Sequence, residues 1–156
     1  SYIEMEGMQM KKQIGLFLGV LLLIGATGCG KEPQKQVLYE NKDLGIGFLM
    51  PEGYKENPYT VEEETTDAGT VINFFEPESK ALVFSLYSMD KDYWDNEVKE
   101  TFSIPYKELH RDDKNVLLYM AVSDVQYDVN DDEQKEKYDE LWNLKDEVLD
   151  SLYFLE

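Results

Sequence analysis

The chain has 156 residues, 33 of them acidic and 15 basic, for a net charge of −18, and 42% are apolar. That is one domain's worth of chain with enough apolar residues for a core, which excludes disorder throughout. A surface this acidic, with no basic stripe, excludes nucleic-acid binding, the single cysteine excludes an intramolecular disulfide, and the single histidine, His110, excludes a His-rich zinc or copper site.

Lys11-Lys12 supplies a positive stretch, Ile14 to Ala26 an apolar run, and Thr27-Gly28 small residues ahead of Cys29. This three-part layout is that of an export signal, and its apolar run is shorter than the ~20 residues a bilayer-spanning helix needs. Ala26-Thr27-Gly28-Cys29 resembles the lipobox of bacterial lipoproteins, with Ala26 where leucine is commonest. The resemblance implies diacylglycerol on the Cys29 sulfur and cleavage of the Gly28–Cys29 bond by the lipoprotein signal peptidase. Two acyl chains anchor stably, at roughly 0.8 kcal/mol per buried methylene. Glu4 and Glu6 do not suit the start of such a signal, and Met8 or Met10 makes the better beginning. The expected organisation is a signal peptide with extra N-terminal residues over 1–28, a lipidated cysteine and polar spacer over 29–36, and a single domain over 37–156. Glu4, Glu6, Lys11 and Lys12 cancel, so the whole acidic excess falls on the exported part. It repels anionic headgroups and favours cations, cationic peptides or basic patches on a partner.

Val37 to Tyr39 reads as a short strand, and Leu44 to Met50, with small residues alternating against large, as a second. Pro51-Glu52-Gly53 is a turn. Tyr59 to Glu63 and Thr70 to Phe75 are strands joined through Glu64 to Gly69, a hairpin. Ala81 to Ser88 is the strongest strand, with Leu82, Phe84 and Leu86 on one face, and is expected to lie centrally. Asp92 to Glu100 is a short helix or an ordered loop. Ile104 to His110 and Val116 to Val122 flank the polar tip Asp112 to Asn115. From about Asp131 to Phe154 the spacing of Tyr138, Leu141, Trp142, Lys145, Val148, Leu149 and Leu152 predicts a helix. Lys145 interrupts the stripe, but its stem can lie along apolar surface, and Asp131, Asp132 and Glu133 suit the helix start. The fold class is therefore α+β, a twisted antiparallel sheet packed by a long C-terminal helix.

Gly47-Phe48-Leu49-Met50-Pro51-Glu52-Gly53-Tyr54, the strand Ala81 to Tyr87, and Asp124-Val125-Gln126-Tyr127-Asp128 ahead of the acidic helix resemble segments of a family of small extracytoplasmic Firmicutes lipoproteins. Tyr54 stands where that family usually has tryptophan, and Ser123 where it has threonine. The resemblance implies a PsbP/Mog1-like α/β sandwich and an extracytoplasmic location, and says nothing about an activity.

The acidic stretch of Asp124, Asp128, Asn130, Asp131, Asp132 and Glu133 has calcium-type ligands. An EF-hand loop from Asp124 would need glycine at Val129 and glutamate at Lys135, and has neither. The expectation is a solvated segment capping the helix, pinned by Gln126 and Tyr127, with Asp124, Gln126, Tyr127 and Asp128 the candidate binding residues. Glu62, Glu63 and Glu64 are neighbours on a strand, so they face alternate sides and do not converge. His110 with Asp112 or Asp113 has the make-up of a general base, but no nucleophile motif accompanies it, and Ser85 and Ser88 lack a G-x-S-x-G elbow. Tyr54, Tyr59, Tyr93 and Trp94 would suit an aromatic groove for a sugar or peptide, but partial burial is the expectation, with Trp142 in the core. The reading is a non-catalytic binding module on a lipid anchor, contacting the membrane and a protein or envelope ligand, without cofactor, metal or catalytic residues. A carboxylate-based envelope hydrolase and a calcium-dependent scaffold are its alternatives.

Overall fold

The computed structural model describes residues 35–156; the expected export signal, Gly28 and Cys29 lie outside the described residues. The architecture is mixed α+β, built from two antiparallel sheets and a C-terminal helix.

The larger sheet has five strands in the order β3-β4-β5-β7-β6: β3 (Thr60–Thr66), β4 (Gly69–Phe75), β5 (Leu82–Asp90), β6 (Tyr106–Arg111) and β7 (Asn115–Ala121). The β3–β4 hairpin runs further than its sequence suggests. Its ladder reaches Thr66 opposite Gly69, leaving Asp67-Ala68 as the turn. Gly69 has φ +141°, and a Cβ there would lie 2.2 Å from the Ser88 carbonyl oxygen, so only glycine closes this turn against β5. β5 is the central strand, as expected. Phe84 and Leu86 face the core opposite Phe74 and Ile72 of β4. A bulge at the β4–β5 pairing brings Val83 into the same core.

A smaller sheet, order β1-β2-β8, packs over part of that face: β1 (Val37–Asn41), β2 (Ile46–Leu49) and β8 (Tyr153–Phe154). The single sheet expected from the sequence is thus divided in two. β2 begins only at Ile46, because the Asn41 side chain accepts the Leu44 amide at 2.9 Å and bends Lys42 to Gly45 into a turn. The other partner of β2 is the chain's far end. The helix expected as far as Phe154 stops at Asp150 (α2, Asp132–Asp150). Ser151 ends it, its hydroxyl donating to the Val148 carbonyl at 2.7 Å and accepting the Leu49 amide at 2.9 Å. Tyr153 and Phe154 then pair with Gly47 and Ile46. Gly47, one of the small residues alternating along β2, gives the Tyr153 ring its space.

α2 begins as its acids predicted. Asp131 caps it, its carboxylate accepting the Glu133 and Gln134 amides at 3.1 and 3.0 Å. Tyr138, Leu141, Lys145, Val148 and Leu149 are buried on one face. Two tyrosine hydroxyls bind the helix to the sheets: Tyr138 donates to the Leu82 carbonyl at 3.0 Å, and Tyr59 to the Leu141 carbonyl at 2.8 Å. The Lys145 stem is buried and its ammonium lies 4.2 Å from the centre of the Trp142 ring, which is half-buried rather than core. The core centres on Phe74 stacked on Phe84 at 4.3 Å, with the Tyr59 ring edge-on to both. Each such pair adds roughly 0.5–1.5 kcal/mol beyond simple burial.

The opposite face of β5 and β7 carries a second, smaller core. Between β5 and β6 the chain forms a helical turn, α1 (Lys91–Tyr93), which widens into a π turn over Trp94–Val98. This seats Trp94 on Met89, Val116 and Leu118, with Phe102 and Tyr106 edge-on to its ring.

Candidate functional site

A cleft of about 90 Å³ lies between the two sheets. The β1–β2 turn brings Asp43 and Leu44 to it, β2 brings Ile46, β8 brings Phe154, and β5 brings Ser88. The β6–β7 hairpin adds His110, Asp112, Asn115 and Leu117.

The sheet register fixes what this cleft can do. Ser88 pairs with Leu117, and Leu117 with His110, so serine and histidine stand two strands apart with leucine between them. Two strand spacings are about 10 Å. Among the described residues no hydrogen bond joins Ser88 to His110 or His110 to Asp112, so the nucleophile–base contact of covalent catalysis is not formed. Instead the His110 ring lies against the Phe154 ring, centroids 4.3 Å apart. Asp112 closes the hairpin tip: its Oδ1 accepts the Asn115 and Lys114 amides at 2.6 and 2.7 Å. Those two bonds hold its carboxyl below the usual carboxylate range.

Other displaced carboxylates are structural. Burial pushes Glu76 up, but bonds from the Ser79 hydroxyl and the Glu78 and Ser79 amides outweigh it and hold the group below its ordinary value. Arg111 grips Asp95 and Glu108, at 2.7 and 2.8 Å, and lowers both.

The sequence-derived candidates do not gather into one place. Asp124, Gln126, Tyr127 and Asp128 form an ordered capping segment ahead of α2. Gln126 donates to the Asp124 carbonyl at 3.2 Å, Tyr127 packs on Tyr138 at 5.2 Å, and the Asp128 carboxylate accepts the Asn130 amide at 3.0 Å. Val125 and Val129 in this segment are 61% and 66% exposed. Among the described residues no group of three or more histidine, cysteine or acidic side chains is placed to hold a metal ion. Glu62 to Glu64 alternate as expected, and Glu63 accepts hydrogen bonds from the Tyr39 hydroxyl and, at 3.1 Å, from the Asn41 amide. The aromatic groove is not built. Tyr59 is buried in the main core, Trp94 is fully buried in the second, Tyr54 is half-buried and Tyr93 exposed. Ser85 is likewise structural, donating to the Asn73 side chain at 2.6 Å.

Reading by motif missed Asp43, Leu44, Asn115 and Phe154, which come from separate segments. One signal was present: on the core face of β5 the stripe Phe84, Leu86 ends in a polar residue, Ser88. No protein-family model matches the chain, and no curated protein or solved structure matches it.

Proposed function

We propose that this protein is a lipoprotein held on the extracytoplasmic face of a bacterial membrane by acyl chains on Cys29, and that its domain is a non-catalytic binding module. The observation that carries the reading is Ala26-Thr27-Gly28-Cys29, set directly behind Lys11-Lys12 and the apolar run Ile14 to Ala26. The spacer Gly30 to Gln36 spans at most about 25 Å when extended, at ~3.3–3.6 Å per residue. The domain works close to the bilayer, and its acidic surface turns it toward cationic ligands in that space. We assign it to a PsbP-like lipoprotein family, a reading supported by the antiparallel sheets, the long closing helix and the segments around Gly47, Ala81 and Asp124.

Binding is favoured over envelope hydrolysis by the carboxylates. Glu76, Asp95, Glu108 and Asp112 are each displaced downward, whereas a general acid working at neutral pH needs a carboxyl displaced upward. The test is growth of the producing cells in labelled palmitate. Wild-type protein is expected to take up label, and Cys29→Ala to take up none while keeping the uncleaved apolar run ahead of residue 29. Equal labelling of both would remove the anchor from the account.

A further inference from the structure

The cleft between the sheets contains a polar group that the fold does not use. Ser88 is 8% exposed and lines the cleft. Among the described residues its hydroxyl has no protein hydrogen-bond partner, unlike that of Ser85 on the other face of the strand. The preceding core positions of β5 are phenylalanine and leucine, so packing alone favours an apolar side chain here, and the Ser88 hydroxyl opens into the cleft instead of bonding the fold. Two carboxylates, Asp43 and Asp112, line the same cleft, and Asp112 commits only Oδ1 to the hairpin tip. Among the described residues no lysine or arginine lines it, and Leu44, Ile46 and Phe154 supply apolar wall.

We propose that this cleft binds a primary alkylammonium group. The Asp43 and Asp112 carboxylates receive the cation, the Ser88 hydroxyl is a further acceptor, and the methylene stem lies along Leu44, Ile46 and the Phe154 ring, whose face also attracts a cation. At ~30 Å³ per water, the 90 Å³ cleft has the room of roughly three waters, which suits a short amine or the end of a lysine-type side chain. The net charge of −18 raises the local concentration of such ligands. This ligand class rests on reading the domain as a binding module, and it is independent of the lipid anchor.

The test is a titration of the full chain, isotopically labelled and held in detergent micelles, with n-pentylammonium, followed by amide NMR shifts. Pentanol and pentanoate at matched ionic strength serve as neutral and anionic counterparts. The amine alone is expected to give saturable shifts centred on Ser88, Asn115 and Phe154. Asp43→Asn with Asp112→Asn is expected to weaken binding about tenfold, with the asparagine oxygen still accepting the tip amides and the remaining spectrum unchanged. Ser88→Ala is expected to weaken it less. Absent or diffuse shifts at millimolar amine, equal shifts with pentanol, or undiminished binding by the double variant would overturn the proposal. A silent cleft in protein that still carries palmitate strikes this proposal alone, and a working cleft in protein that takes up no palmitate strikes only the anchor.

Discussion

Gly47→Ala puts a methyl group where the Tyr153 ring now lies: 2.3 Å from Cζ, 2.5 Å from the hydroxyl oxygen and 2.7 Å from Cε1. Carbon atoms in contact prefer about 3.5–4.0 Å, so the ring must leave. It is held by pairing with Gly47 and by a 2.6 Å bond from its hydroxyl to Glu40. Burial, and then that bond, push the hydroxyl's pKa up to about 12, so it remains a donor at neutral pH. Overpacking of this kind costs about 1–3 kcal/mol. Gly47 is not among the glycines with positive φ, so alanine is also expected to return about 0.4–1 kcal/mol by restricting the unfolded chain. The net expectation is a loss of up to about 2.6 kcal/mol. In a Tyr153→Ala background the clash is gone, and the same substitution becomes neutral or slightly stabilising. Urea unfolding of the four proteins, followed by Trp94 and Trp142 fluorescence, measures the coupling. Equal losses in the two backgrounds would refute the reasoning, and with it the docking of β8 on β2.

Tyr59→Phe keeps the ring edge-on to Phe74 and Phe84 but removes the bond to the Leu141 carbonyl, so urea unfolding should report a loss of about 0.5–1.5 kcal/mol; no loss would mean that this bond does not help seat α2. Glu76 has a lowered folded-state pKa. Its stabilisation is therefore fully present above the ordinary carboxylate value and is lost as pH falls through the depressed one. Glu76→Gln should cost about 1–2 kcal/mol at neutral pH and progressively less in that acid window, and a constant difference across the window would count against a charged carboxylate holding the turn at Glu78 and Ser79. Among the described residues the buried Trp94 indole N–H has no partner. Trp94→Phe removes that unpaired donor while keeping a ring on Met89 and Leu118, so calorimetry should place its melting point well above that of Trp94→Ala, for which about 3–5 kcal/mol is lost. Similar melting points for the two would contradict this.

Where one face of an element is buried, the sequence was readable. The alternation in β5 identified the central strand, the apolar stripe identified α2, and Asp131 identified its start. The division into two sheets was not readable, because periodicity says which residues face inward but nothing about strand partners. β2 pairs with a two-residue strand at the far end of the chain, and the apolar spacing of α2 continues through Leu152, so nothing in the period marks the helix end at Asp150. Tyr59 and Trp94 were expected to be partly buried, yet both are buried, in different cores on opposite faces of the larger sheet, because composition does not say which core an aromatic ring joins. The cleft draws on residues from five strands and turns, with no motif spacing between them. Only the register, which sets Ser88, Leu117 and His110 in one row, shows that they share a place and that catalysis between Ser88 and His110 is not arranged.

The most direct measurement is the mass of the N-terminal peptide of the mature protein, taken from membranes of the producing cells. The account predicts that the polypeptide begins at Cys29 and carries the added mass of a thioether-linked diacylglycerol. A chain that retains residues ahead of Cys29, or begins there with an unmodified thiol, would contradict it.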